Sequence, residues 1–125
     1  MRSRIALCLL VLMAACGERR AQPHTPLARA AEFLWKQQSA DGGWHSRTYG
    51  LLRSGQSLTP FVLDALLQVP PDEYTIPKGG ADRALSFLRS QTGMDGALGM
   101  ADPAIPDYPN YSTALAVRDG VHAPS

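Results

Sequence analysis

The sequence predicts an all-α protein made of two helical-hairpin units. Three observations carry that reading. A twelve-residue motif occurs twice, apolar residues recur at helical spacing ahead of each copy, and Thr-Pro, Asp-Gly and Pro-Pro steps punctuate the chain between segments of helix length. The motif runs from Phe33 to Trp44 and is echoed from Phe87 to Leu98 at a constant offset of 54 residues. The same offset carries Arg29 onto Arg83, Ala30 onto Ala84, Leu34 onto Leu88, Gln37 onto Gln91, Asp41 onto Asp95, Gly42 onto Gly96 and Thr59 onto Thr113. Periods of this size belong to repeat architectures, in which one unit cannot bury its apolar face without a neighbour.

The N-terminus reads as an address. Met1-Arg2-Ser3-Arg4 is positive, and the eleven residues from Ile5 to Ala15 are apolar and uncharged. That run is shorter than the roughly 20 residues a membrane-spanning helix needs, and it has the layout of a secretory signal. Its end, Leu12-Met13-Ala14-Ala15-Cys16, resembles the lipobox of bacterial lipoproteins. The resemblance implies cleavage before Cys16, lipidation of that residue and a place on the periplasmic side of the cell envelope. Residues 1–15 are then the signal and residues 16–24 a polar tether. Cys8 leaves with the signal, so Cys16 has no partner for an internal disulfide.

The body follows from residue 25, with units at 25–78 and 79–125. Thr25-Pro26 is a helix start, because Thr caps free amides and Pro fits the first helical position. Leu27, Ala30, Ala31 and Leu34 make one apolar stripe, and the helix is expected to reach about Gln38. Asp41-Gly42-Gly43 ends it with a turn. Thr59-Pro60 repeats the start signal. Phe61, Val62, Leu63, Ala65, Leu66, Leu67 and Val69 then form a helix apolar nearly all round, expected to be buried and to stop at Pro70-Pro71.

The second unit repeats the plan. Ala81, Ala84, Leu85 and Leu88 rebuild the stripe, and Met94-Asp95-Gly96 makes the turn. Pro103, Pro106 and Pro109 argue against regular structure between Gly99 and Asn110. A last helix is expected to start at Ser112-Thr113 and run through Val117. The tail from Asp119 to Ser125 does not complete an apolar helix face, which implies a truncated or frame-shifted reading.

The run Phe33-Leu34, Gln37, Asp41-Gly42-Gly43-Trp44 resembles the QW repeat of squalene-hopene and oxidosqualene cyclases and is similar to repeats of protein prenyltransferase β subunits. The resemblance spans Thr25 to Val117. It implies (α/α) hairpins of a terpenoid-cyclase toroid around an apolar cavity, with Gln37 tying helix ends together and Trp44 stacked on it. Gln91 keeps its half of the clasp, and Leu98 stands where the second Trp would be. A closed ring of six such units needs roughly 320 residues. This chain therefore reads as a fragment, a truncated product or a piece completed by another chain.

The chemistry of those families is not legible. No DxDD acid motif occurs, and His24, His45 and His122 lack the spacing of a zinc set. No cofactor or metal is predicted. Lys and Arg number 12 against 11 Asp and Glu, with no basic cluster, which excludes nucleic acid as a partner. The motif residues Gln37, Asp41, Gly42, Gly43, Trp44, Gln91, Asp95 and Gly96 are read as structural. A pocket mouth at His45 and Tyr49, and a carboxylate facing a cavity at Asp64, are the places where binding would fall. The expected function is a non-catalytic, exported, lipid-anchored protein that binds an apolar ligand or a protein partner. The alternative is a fragment of a terpenoid cyclase acting on polyprenyl chains.

Overall fold

The computed structural model describes residues 25–100 and 108–120. The signal, the tether, Cys16, His24 and His122 lie outside them. Among the described residues the chain is all helical, with four α-helices and no strand. They are α1 (Pro26–Lys36), α2 (Leu58–Leu67), α3 (Gly80–Gln91) and α4 (Pro109–Arg118), with a short 3-10 turn at Gly50–Leu52 between α1 and α2. No helix among them is long and apolar enough to cross a membrane.

The start of α1 follows its sequence signal. Thr25 is extended (φ −87°, ψ 153°), and its Oγ1 accepts from the Ala28 amide at 3.0 Å, with Pro26 next in the chain. The same hydroxyl donates to Glu73 Oε2 at 2.6 Å, which ties the start of α1 to the turn after α2. The other starts differ from expectation. Helix α2 begins at Leu58, and Thr59 does not cap it; its hydroxyl serves the preceding loop. Helix α4 begins at Pro109, three residues before Ser112, because Pro at a first helical position gives up only an amide that lacks an intrahelical acceptor. Tyr108, just ahead of it, takes a left-handed conformation (φ 47°, ψ 54°).

Helix α2 packs against both α3 and α4. Its Val62, Leu63 and Leu66 meet Trp35, Trp44, Ala84, Phe87, Leu88, Leu98 and Ala116 in one buried cluster. Trp35 and Trp44 lie with ring centroids 5.4 Å apart, tilted by 59°. Two expectations about faces are corrected. The buried side of α1 is Ala28, Ala31 and Trp35, while Leu27 and Ala30 are exposed and Leu34 is half-buried. Helix α2 is not covered all round, because Phe61, Ala65 and Leu67 remain exposed. In α3, by contrast, Ala84 and Leu88 of the expected stripe are fully buried.

Candidate functional site

The motif residues gather at the C-terminal end of α1, where helix carbonyls lose their intrahelical partners. The Leu34 carbonyl accepts from the Gln37 amide at 3.0 Å and from Trp44 Nε1 at 2.7 Å. The side chain that ties helix ends together is that of Gln38, not Gln37, which is exposed. Gln38 Nε2 donates to the carbonyls of Gly42 and Gly80, each at 2.9 Å, and its Oε1 accepts from an Arg83 guanidinium nitrogen at 2.9 Å. One amide thus joins the end of α1, its turn and the first residues of α3. The physical reason is the true buried face of α1. Position 38 lies three residues beyond Trp35 and seven beyond Ala31, whereas position 37 shares its side with Ala30 and Phe33. Two adjacent Gln residues conceal this choice until the face is known.

The turn is fixed by Asp41 and by Gly42. Asp41 Oδ1 accepts from the Gly43 amide at 3.0 Å, and Ser39 N–H donates to the Gly43 carbonyl at 2.8 Å. Gly42 has φ +93°, and a Cβ built on it would lie 2.7 Å from the Arg83 carbonyl carbon. The Trp44 amide then donates to Thr59 Oγ1 at 2.9 Å, which joins the turn to α2 inside the core. These bonds recur at the 54-residue offset. Asp95 Oδ1 accepts from the Ala97 amide at 3.1 Å, Gly93 N–H donates to the Ala97 carbonyl at 2.9 Å, and the Leu98 amide donates to Thr113 Oγ1 at 3.0 Å. Gly96 has φ +81°. Leu98 supplies no indole N–H for the Leu88 carbonyl, and Thr92 Oγ1 takes over that bond at 2.8 Å. Gln91 meets another partner: its Oε1 accepts from Gln56 Nε2 at 3.1 Å. The sequence relates Thr59 to Thr113 by the offset but does not show that each hydroxyl holds a loop amide.

Two of the three candidate pocket residues, His45 and Asp64, have their side chains committed to different partners. His45 Nδ1 lies 2.8 Å from the Arg53 carbonyl, Nε2 lies 3.0 Å from Asp41 Oδ2, and the ring meets Phe87 edge-on at 5.5 Å. Both ring nitrogens face acceptors, so the two bonds form together only in the imidazolium. Burial pushes the Asp41 carboxyl up, but the Gly43 amide and the hydrogen bond and charge of His45 outweigh it and hold the group below its usual 3.8. Tyr49 is exposed, and its amide donates to Ser46 Oγ at 2.9 Å. Asp64 receives Arg118 on both oxygens and Gln68 Nε2 at 2.7 Å. Asp64 and Arg118 are themselves 54 residues apart.

One buried carboxyl carries no signal in the sequence. Asp119 follows α4, is 9% exposed, and its Oδ2 has no hydrogen-bond partner among the described residues. Burial, followed by the negative charge of Asp64, pushes its carboxyl up to about 6, with Arg118 offsetting part of the effect. Nothing in its sequence context, Arg118-Asp119-Gly120, marks it as buried. Among the described residues no three His, Cys, Asp or Glu side chains gather as a metal site would need.

In comparisons with known proteins, no family model, no curated protein and no solved structure matches this chain.

Proposed function

We propose that the chain is a lipid-anchored envelope protein whose body is two stacked (α/α) units of the squalene-cyclase and prenyltransferase type, and that it binds an apolar ligand or a protein partner without catalysis. The observation that carries this reading is the matched set of bonds. An Asx turn at Asp41 and Asp95, a left-handed glycine at Gly42 and Gly96, and a loop amide held by Thr59 and Thr113 recur in register. Divergent side chains keep one backbone geometry when the unit is the same, as where Thr92 replaces the indole bond of Trp44. The residues whose chemistry would otherwise be of interest, Asp41, His45 and Asp64, are spent on holding the turns and on joining α2 to α4.

Amide hydrogen exchange tests the body of the proposal. The Trp44 and Leu98 amides are expected to be protected together, and Thr59→Val and Thr113→Val each to release the amide that its hydroxyl holds. Unrelated protection at the two amides refutes the repeat. For the anchor, mass spectrometry of membrane-extracted protein is expected to find acyl mass on Cys16, and Cys16→Ser to move the chain to the soluble fraction.

A further inference from the structure

We infer that the chain docks head to tail onto a second copy of itself, the α1 side of one copy against the α4 side of the next. The inference rests on the repeat reading proposed above, and its observations are differences in exposure between equivalent positions. Phe87 is 6% exposed, with its ring against His45 and Gly43, both supplied by the first unit. Its equivalent Phe33 is 61% exposed. Ala84 and Leu88 are fully buried in the cluster that α2 shares with α3, whereas Ala30 is exposed and Leu34 half-buried. The stripe on α1 therefore matches the one on α3 but has no helix packed against it among the described residues.

The far side of the second unit shows the reverse deficit. Leu63 of α2 is 0% exposed, and its equivalent on α4, Val117, is 54% exposed. A Cβ at Gly42 would run into the backbone of Arg83, whereas one at Gly96 would meet nothing within 4 Å. Among the described residues, then, no unit packs ahead of α1 and none packs beyond α4. A second copy supplies both. Its α1 brings Phe33 to the loop after Gly96 and its Arg29 to Gly96, as α3 brings Phe87 and Arg83 to the first loop. A Cβ at Gly43 would lie 3.0 Å from the Phe87 ring, so the methyl that Ala97 carries at the equivalent position sets the docked Phe33 a few tenths of an ångström farther out than Phe87 sits.

Charge agrees with this pairing. Asp64 and Arg118 occupy the same position of the two units and bind each other across the α2–α4 contact. Arg118 keeps its outer side in solvent, with its side chain 61% exposed. A docked copy presents its own Asp64 there, opposite in sign, whereas identical charges at the repeated position would repel. A contact of this kind is heterologous, so it joins a head to a tail and leaves one of each free for the next copy.

The test uses the full chain purified in a mild detergent, followed by sedimentation velocity and native mass spectrometry over a concentration series. Wild type is expected to assemble with rising concentration. Phe33→Glu and Val117→Glu alter exposed positions, so each is expected to keep the protection of the Trp44 and Leu98 amides while weakening self-association by at least about tenfold. Mixing the two variants is the decisive step. The first retains a sound α4 side and the second a sound α1 side, so together they form one junction and stop at a dimer. A wild type that stays monomeric, variants that assemble as wild type does, or a mixture that stays monomeric overturns the docking. A monomer that carries lipid, lost in Phe33→Glu, also overturns it and gives the face to an apolar ligand. Paired protection of the two amides in a monomeric chain removes the docking alone; unpaired protection removes the repeat beneath it as well.

Discussion

Replacing Gly42 by Ala perturbs the junction between the end of α1 and the start of α3 with a single methyl. Two costs arise. At φ +93° an L side chain sits in the left-handed region, at roughly 1–2 kcal/mol. The methyl would also lie 2.7 Å from the Arg83 carbonyl carbon and 3.1 Å from Arg83 Cβ, and forcing a group into such a contact costs about 1–3 kcal/mol. Restricting the unfolded chain returns about 0.4–1 kcal/mol. The net loss for Gly42→Ala is then ~2–4 kcal/mol, a large part of the stability of a small domain. Gly96→Ala is the matched control. Its φ of +81° carries the same strain and the same unfolded-state gain, but nothing lies within 4 Å of its Cβ. A net loss of only about 0–1.6 kcal/mol is expected there from those two opposing effects. The difference of ~1–3 kcal/mol isolates the packing of the turn on α3. Urea denaturation followed by far-ultraviolet circular dichroism, at a concentration where both proteins are monomeric, measures it as a shift of midpoint at constant slope. Equal losses at the two glycines would refute the close approach of Gly42 to Arg83.

Trp44→Phe removes the indole donor but leaves the Leu34 carbonyl bonded to the Gln37 amide, so about 1 kcal/mol is expected from the bond, with some lost packing on Trp35. Trp44→Ala is expected to cost ~3–5 kcal/mol by the same denaturation assay. Gln38→Ala is expected to weaken the protein more than Gln37→Ala does, because only Gln38 holds Gly42, Gly80 and Arg83. Asp119 has its folded pKa raised from 3.8 to about 6, so the folded state binds the extra proton between those values and stability rises as pH falls from above 6 toward 3.8. Asp119→Asn is expected to be more stable than wild type at pH 7 and to lose that rise, read from thermal midpoints across the pH range. Asp41 is shifted the other way: its contribution is present above 3.8 and is lost as pH falls through its depressed folded value, so the gap between wild type and Asp41→Asn closes in acid.

The sequence made legible whatever depends on residues near one another in the chain. Helix α1 could be read from Thr25-Pro26 and from the break at Asp41-Gly42, because caps and turns are local bonds. The Asx turn at Asp41 was legible for the same reason. The start of α4 was not, because Pro109 reads equally as a loop residue and as the first residue of a helix, and only the helix that follows decides. Gln38 was hidden behind Gln37 because the choice between neighbours depends on which side of α1 is buried. Thr59 looks like a helix cap by its place before Pro60, yet its hydroxyl is turned to the Trp44 amide across the core. Asp119 becomes visible only when α4 is packed on α2.

The comparison of α1 with α3 bears on how an apolar stripe should be read. Leu27, Ala30 and Leu34 match Ala81, Ala84 and Leu88 in spacing, and pattern alone assigns them the same fate. Yet Ala84 and Leu88 are fully buried, while Ala30 is exposed. The difference lies in what precedes each helix, since α3 has α2 to pack on and α1 has no counterpart among the described residues. Periodicity records the face a helix is built to bury, and burial records whether a neighbour is present. The buried side of α1, through Ala28, Ala31 and Trp35, was harder to foresee because small residues carry little signal by themselves and Trp35 acquires its place from Trp44. In the proposed repeat such a helix has two apolar sides, and the one that Trp35 carries on α1 meets Trp44 and Gly80. On α3 Ala84, Phe87 and Leu88 are covered, while on α1 Phe33 is exposed. The exposed Phe33 is then neither a folding error nor a generic sticky residue. In the proposed docking it takes the part that Phe87 plays against the loop after Gly42.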